Sequence, residues 1–279
     1  MAGVKVVTDN VSDIPGDLVA KYNIDVVPLD VRFGTGAQEE PIDTNTEEFW
    51  RRVRATGAVA TTSAPSPGAF AQSFLRARHD GFDGVCCVTF SSELSSTYQA
   101  ACLGAKEVEG DVAVRVIDSR WGTIAEGLLV LGAAEMARDA FDLDAICDVV
   151  SREIPTFRAF GALDTLEYLR LGGRIGPARA FFGSLFSVKP VITMRDGVIE
   201  GESRQHTRAS SFRYLTNKVA AALPVRKLAV AHADAEDIDV FLAMLEPIFP
   251  AEATIKALIG PVIGAHLGPG TVAVCFQPG

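Results

Sequence analysis

Short apolar runs alternate with helix-period stretches from the start of the chain. Lys5–Thr8, Val26–Phe33, Val85–Phe90 and Val112–Ile117 are β-branched runs of strand length, and between them Glu47–Ala55, Gly68–Arg78, Thr97–Val108 and Thr123–Ala140 carry helix-period apolar positions. That rhythm predicts crossover connections and a mostly parallel sheet flanked by helices over residues 1–156. From Phe157 the texture changes. Strands at Phe157–Ala162, Pro190–Met194, Val198–Ser203, Leu228–Ala233, Ala253–Leu258 and Thr271–Phe276 surround helices at Thr165–Leu171, Ala178–Phe186, Ser210–Ala222 and Asp237–Ile248. Arg195-Asp196-Gly197 is a hairpin turn of the Asp-Gly type, so its flanking strands are antiparallel. The expected fold class is α/β in two domains: an N-terminal α/β domain over 1–156 and a C-terminal α+β domain with a mixed or antiparallel sheet over 157–279.

Composition supports two cores and narrows the partners. A chain of 279 residues that is 48% hydrophobic has enough apolar surface for both domains. A net charge of −9 with no Lys/Arg run argues against nucleic acid, whose phosphates need a basic face. Five cysteines, Cys86, Cys87, Cys102, Cys147 and Cys275, lack Cys-x-x-Cys spacing and read as buried thiols of a reducing compartment. Met1–Lys5 leads straight into a strand without a signal-peptide pattern, and no apolar run reaches the ~20 residues of a membrane span. A cytoplasmic location without stable membrane insertion is expected.

The candidate chemistry lies in polar clusters and two glycine-rich segments. Thr8-Asp9-Asn10, Ser91-Ser92 and Asp118-Ser119 each follow a strand, so they gather along one edge of the parallel sheet, where such folds bind ligands. Ser95, Ser96 and Thr97 stand where a helix begins, and N-capping explains them equally well. Leu169–Gly176 and Ile259–Gly270 strip side chains from a turn while keeping ionisable groups, as loops do when their backbone approaches a polar head group. They read as two walls of one site. Phosphate-loop, nucleophile-elbow and His-Glu-x-x-His signatures are missing, and His79, His206, His232 and His266 show no paired spacing, so a metal site is not expected. Ile175–Val191, with Phe181, Phe182, Leu185 and Phe186, is either an amphipathic helix facing the core or the wall of an apolar pocket.

Six pieces in order, namely Val7-Thr8-Asp9-Asn10, Thr61–Pro67, Ser91–Tyr98, Ile117-Asp118-Ser119, Gly172-Gly173-Arg174-Ile175 and His266-Leu267-Gly268-Pro269-Gly270, resemble the DegV family of bacterial fatty-acid-binding proteins almost end to end. The resemblance implies a two-domain fold with a ligand tunnel between the domains. The ligand is a palmitate- or oleate-like fatty acid, with no other cofactor. It places the carboxylate on Thr62 and Ser95, with Ser63 and Ser96 beside them and His266 orienting the head group. Phe181, Phe182, Leu185 and Phe186 fall to the tunnel wall.

Some members of the family are the acyl-binding subunit of a two-part fatty acid kinase, which implies a kinase-presenting role in phospholipid synthesis and no self-contained catalytic machinery. Such a ligand is physically coherent, because each buried CH₂ contributes about 0.8 kcal/mol while the carboxylate must find donors as it leaves water. Arg170 and Arg174 either neutralise a transferring phosphate, meet an acidic face of the kinase, or are solvated charges at a helix C-terminus.

Three departures stand out. Ala64 replaces a common glutamine, Ser96 a frequent glycine, and Arg204-Gln205-His206-Thr207 a Lys-Val-Arg-Thr-like stretch. The last removes a kinase-facing arginine unless Arg204 or Arg208 substitutes. A carrier without a kinase is the alternative, and a serine hydrolase using Ser95 or Ser63 with His266 is a third reading.

Overall fold

The computed structural model describes residues 3–34, 40–41, 46–182 and 188–279. Its strands, in chain order, are β1 (Val4–Asp9), β2 (Asp25–Val27), β3 (Asp30–Phe33), β4 (Glu40–Pro41), β5 (Ala60–Ser63), β6 (Gly84–Thr89), β7 (Ala113–Asp118), β8 (Arg158–Ala162), β9 (Lys189–Arg195), β10 (Val198–Gln205), β11 (Val225–His232), β12 (Ile255–Leu258) and β13 (Val272–Pro278). The chain divides into two compact units, Met1–Asp30 with Ser63–Thr156, and Val31–Thr62 with Phe157–Gly279.

The first unit is built on a wholly parallel sheet in the order β2-β1-β6-β7. Every residue of β6 is buried, as expected where crossover helices cover both faces of a parallel strand. Phe70 and Phe74 of the Pro67–His79 helix pack with Val85, Cys87 and Ala101. In the second unit a six-stranded mixed sheet runs β10-β9-β8-β13-β11-β12, antiparallel except for the β11–β12 pair. The turn at Arg195-Asp196-Gly197 joins β9 to β10, with Asp196 and Gly197 both at positive φ, which is the geometry that selects Asp-Gly. Phe160, Phe212, Leu215, Phe241 and Phe276 form its core. The α/β class and the contrast between the two sheets are as the pattern predicts.

The domain division needs a correction. Val26–Phe33 is not one strand: β2 joins the parallel sheet, whereas β3 joins β4 and β5 in a separate three-stranded sheet. Pro28, which has no N–H to give a ladder, interrupts it, and the amide of Leu29 is taken by Asn10 Oδ1 at 2.9 Å. Residues 31–62, expected with the first domain, belong to the second unit. The reason is aromatic packing. Phe33 stacks on Phe49 at 5.5 Å, Phe49 meets Trp50 edge-on at 4.8 Å, and Trp50 Nε1 donates to the carbonyl of Ile259 at 2.8 Å. The helices Gly16–Lys21, Leu143–Glu153 and Pro261–Leu267, and strand β5, were not foreseen; the expected helix Ala178–Phe186 is described as Ala178–Phe182.

One buried acid marks the first unit. Glu126 lies on the Thr123–Arg138 helix with no exposed surface, and Thr8 Oγ1 donates to its Oε1 at 3.2 Å. Burial first, and the nearby Asp9 second, push its carboxyl well above the usual carboxylate range. A raised folded-state value means that stability is full at low pH and declines once the unfolded chain's glutamate ionises above about pH 4.5. Glu126→Gln, neutral at every pH and of the same shape, is expected to match wild type at pH 4 and to be the more stable protein at pH 8. Urea titrations at the two pH values check this; equal midpoint shifts at both would show that Glu126 is not held neutral.

Candidate functional site

The site is organised around one imidazole in the second unit. His266 sits in the last turn of the Pro261–Leu267 helix, which Pro261 opens in the first turn and Gly268 closes at φ 76°. The helix lies close against the aromatic pair, because Gly264 has no side chain: a Cβ there would stand 2.7 Å from the Trp50 indole. At Gly268 and Gly270 a Cβ would likewise run into the Tyr168 ring and the Asp164 carboxylate. The second glycine-rich segment is therefore mostly a helix and its stop, not a ligand-approach loop. Its glycines admit neighbouring side chains of the protein itself.

From β5, Thr62 places its hydroxyl Oγ1 2.9 Å from Nε2 of His266. The Glu167–Leu171 helix ends at Gly172, whose Cα lies so close to the ring that a Cβ would collide with Nδ1. The first glycine-rich segment thus touches the ring that the second one carries. Arg174 donates from Nη1 to the carbonyl of Gly172 at 2.8 Å. Burial lowers the pKa of His266 to about 4, and the Arg174 charge adds to the effect, so the imidazole is neutral near pH 7. Nδ1 is buried without a hydrogen-bond partner among the described residues. A hydrolytic histidine is oriented by a carboxylate on that nitrogen, and among the described residues His266 has none.

The remaining candidates are distributed as follows. In the first unit, Ser95 Oγ lies 2.8 Å from Thr97 Oγ1 and accepts the Thr97 amide at 3.3 Å, as a residue at a helix start does. Ser96 is exposed, and its carbonyl accepts the Ala100 amide without a side-chain cap. Ser63 is exposed at the end of β5. In the second unit, Arg170 is held by both carboxylate oxygens of Glu167 at 2.6 and 3.0 Å, and Arg208 by both of Asp237 at 2.9 Å. Arg204 is exposed; it donates to the carbonyl of Phe181 and lies over that ring. The Phe181 ring in turn rests on Gly201 of β10. Leu185, Phe186 and the side chain of Phe182 lie outside the described residues.

The polar clusters at the carboxyl ends of β1, β6 and β7 serve the scaffold. Asp9 accepts the amides of Val11 and Phe90, each at 2.9 Å, and Asp118 accepts the Ser92 amide at 3.1 Å and its hydroxyl at 2.6 Å. Sequence reasoning missed Gly172 as the contact of His266, and Tyr168 and Trp50 as its frame. The glycine spacing was the available signal, since a glycine marks a close approach without saying of what. Among the described residues no group of His, Cys, Asp and Glu could hold a metal ion, and no helix is long and apolar enough to cross a membrane.

Known proteins share the fold along the whole length of the chain. A family model described as "Uncharacterised protein, DegV family" matches residues 3–279. A DegV domain-containing protein of Caldanaerobacter subterraneus subsp. tengcongensis is 32% identical over 99% of both chains. A DegV lipid-binding protein of Thermotoga maritima superposes with a TM-score of 0.87 at 29% identity, covering 100% of this chain and 99% of that one. A DegV family protein of Thermus thermophilus, described for its fatty acid binding, gives 0.86 at 31% identity over 99% of each chain. With sequence and backbone agreeing from end to end, the chain belongs to the DegV family.

Proposed function

We propose that the protein binds a long-chain fatty acid, palmitate- or oleate-like, in an apolar tunnel. The observation that carries this reading is the Thr62–His266 pair: a hydroxyl held by a buried, neutral imidazole can meet a carboxylate without closing it into an ion pair. Fatty acid and lipid binding by the Thermus and Thermotoga relatives supports it. Ser95 is taken as a second donor, with Ser63 and Ser96 near it, on motif match alone. We further infer that the bound carboxylate is presented to the ATP-binding subunit of a fatty acid kinase, which makes the acyl phosphate used in phospholipid synthesis. Such a transfer needs positioning and charge stabilisation, not a general base on the carrier. Arg174 and Arg204 are the cations proposed for that encounter.

A carrier acting without a kinase is the second reading. It is favoured by the ion pairs that engage Arg170 and Arg208, the first exposed and readily exchanged, the second part-buried and bidentate.

Native mass spectrometry is the test. Purified wild type, or wild type given oleate, is expected to carry one fatty-acid adduct that Thr62→Ala weakens about tenfold and Thr62→Ala/Ser95→Ala abolishes, the first step being the loss of one charge-assisted hydrogen bond. No adduct with either palmitate or oleate would sink the reading. ATP and a fatty acid kinase ATP-binding subunit then separate the two roles: acyl phosphate trapped with hydroxylamine supports presentation, and its absence with a loaded carrier supports the stand-alone form.

A further inference from the structure

We propose that Gly172 fixes His266 as the tautomer protonated on Nε2, and that this makes Thr62 a hydroxyl donor selective for an ionised head group. The inference rests on the fatty-acid reading only for the identity of the ligand; the protonation pattern follows from the geometry of the protein itself.

A neutral imidazole carries one hydrogen, on Nδ1 or on Nε2, and each choice has a different neighbour. At Nδ1 the neighbour is the Cα of Gly172. The direction in which a Cβ would be built from that carbon runs into Nδ1, so in glycine a Cα hydrogen occupies this line and points at the ring nitrogen. A Cα–H is a weak donor that can face a lone pair. It cannot face an N–H, because two hydrogens would then meet head-on and a buried donor would be left without an acceptor. Nδ1 indeed has no hydrogen-bond partner among the described residues. A bare nitrogen is the less costly state there, since an unsatisfied buried N–H forfeits its whole hydration. The Arg174 charge and burial oppose a second proton on the ring. The single hydrogen therefore sits on Nε2.

Thr62 feels the consequence directly. Its Oγ1 lies 2.9 Å from Nε2 and, in this tautomer, accepts the imidazole hydrogen. The hydroxyl's own hydrogen cannot then point at the ring and is directed outward. A carboxylate, which only accepts, is met by a donor. A protonated acid or a fatty alcohol can use the same hydroxyl hydrogen but brings no negative charge, so its hydrogen bond lacks the charge assistance. In the opposite tautomer Thr62 would donate to Nε2 and present lone pairs outward, repelling a carboxylate. Gly172 and His266 are positioning residues in this account, and Thr62 is the group that touches the ligand.

Two measurements test the proposal. In protein labelled with ¹⁵N at histidine, long-range ¹H–¹⁵N correlation should show His266 at pH 7 with a bare Nδ1 and a protonated Nε2, with or without ligand. The reverse pattern overturns the proposal, whatever the protein binds. The second measurement compares oleate and oleyl alcohol on His266 variants. His266→Asn, whose amide reaches only the Nδ1 position, should weaken oleate binding about tenfold and narrow the oleate preference, as expected for one charge-assisted hydrogen bond. His266→Gln, whose amide nitrogen reaches the Nε2 position, should restore most of the affinity and the preference. Equal losses in the two variants would overturn the proposal. If no fatty acid binds to any form while the ring is found bare at Nδ1, the tautomer assignment stands and the fatty-acid reading falls.

Discussion

Gly268→Ala is expected to lower the stability of the protein by about 2–6 kcal/mol and to abolish ligand binding at the remaining folded population. Two independent costs combine at this position. Gly268 adopts φ 76° and ψ 169°, a region open almost only to glycine, and forcing another residue into it costs about 1–3 kcal/mol. A Cβ would also enter the Tyr168 ring, and overpacking of this kind costs roughly 1–3 kcal/mol. The backbone of Tyr168 is held, its carbonyl accepting the Gly172 amide at 2.9 Å at the end of its own helix, so its ring can yield only by side-chain rotation. Movement of either partner displaces His266, two residues before Gly268, from Thr62. Gly16→Ala is the control: nothing lies within 4 Å of its Cβ position, and alanine at a helix start should be neutral or slightly stabilising. Urea midpoints of the two variants measure the contrast. A loss below about 1 kcal/mol at Gly268 would mean that the turn repacks freely, against the geometry described above.

The second large effect is a pair of opposed pH dependences. His266 has its folded pKa lowered from 6.5 to about 4, chiefly by burial. The folded protein is then neutral at this position where the unfolded chain is protonated. Stability from His266 is full above pH 6.5 and is lost as pH falls towards 4, by about 3 kcal/mol in all. Asp9 is displaced the other way, from 3.8 to about 6, because burial outweighs the two amides that it accepts. Its contribution is full below pH 3.8 and is lost as pH rises through 6, again by about 3 kcal/mol.

The windows nearly coincide, so in a Glu126→Gln background, where the slope of that third buried acid is gone, these two groups leave the stability almost level between pH 4 and 6. In that background His266→Gln removes one slope and should make the protein gain stability on acidification across that window. Asp9→Asn removes the other and should make it lose stability on acidification, from a lower starting point because Asn offers one acceptor oxygen for two amides. Parallel denaturation curves at pH 4, 5, 6 and 7 would expose both slopes. Double variants that retain the level profile of Glu126→Gln would show that neither group is perturbed.

Periodicity and turn chemistry were enough to recognise the crossover half, the antiparallel half and the Asp-Gly turn between β9 and β10, because each is a property of neighbouring residues. The short helix Pro261–Leu267 was hidden because glycine stands at both flanks and inside it, at Gly260, Gly264 and Gly268, and the last two answer to partners remote in sequence. Thr62 and His266 could be singled out by residue type and motif, but not joined: they are 204 positions apart and meet through the packing of residues 31–62 onto the second unit. That packing overrode the apparent continuity of Val26–Phe33, since Pro28 breaks the ladder and Phe33, Phe49 and Trp50 find apolar cover elsewhere. By itself, the order of residues determined the α/β class, the net negative charge and the family. Only the tertiary structure decided which side chain each glycine admits, that the His266 ring is neutral, and on which nitrogen its hydrogen sits. Desolvation and close contact are set by atoms that folding brings together, and neither can be read from neighbours along the chain.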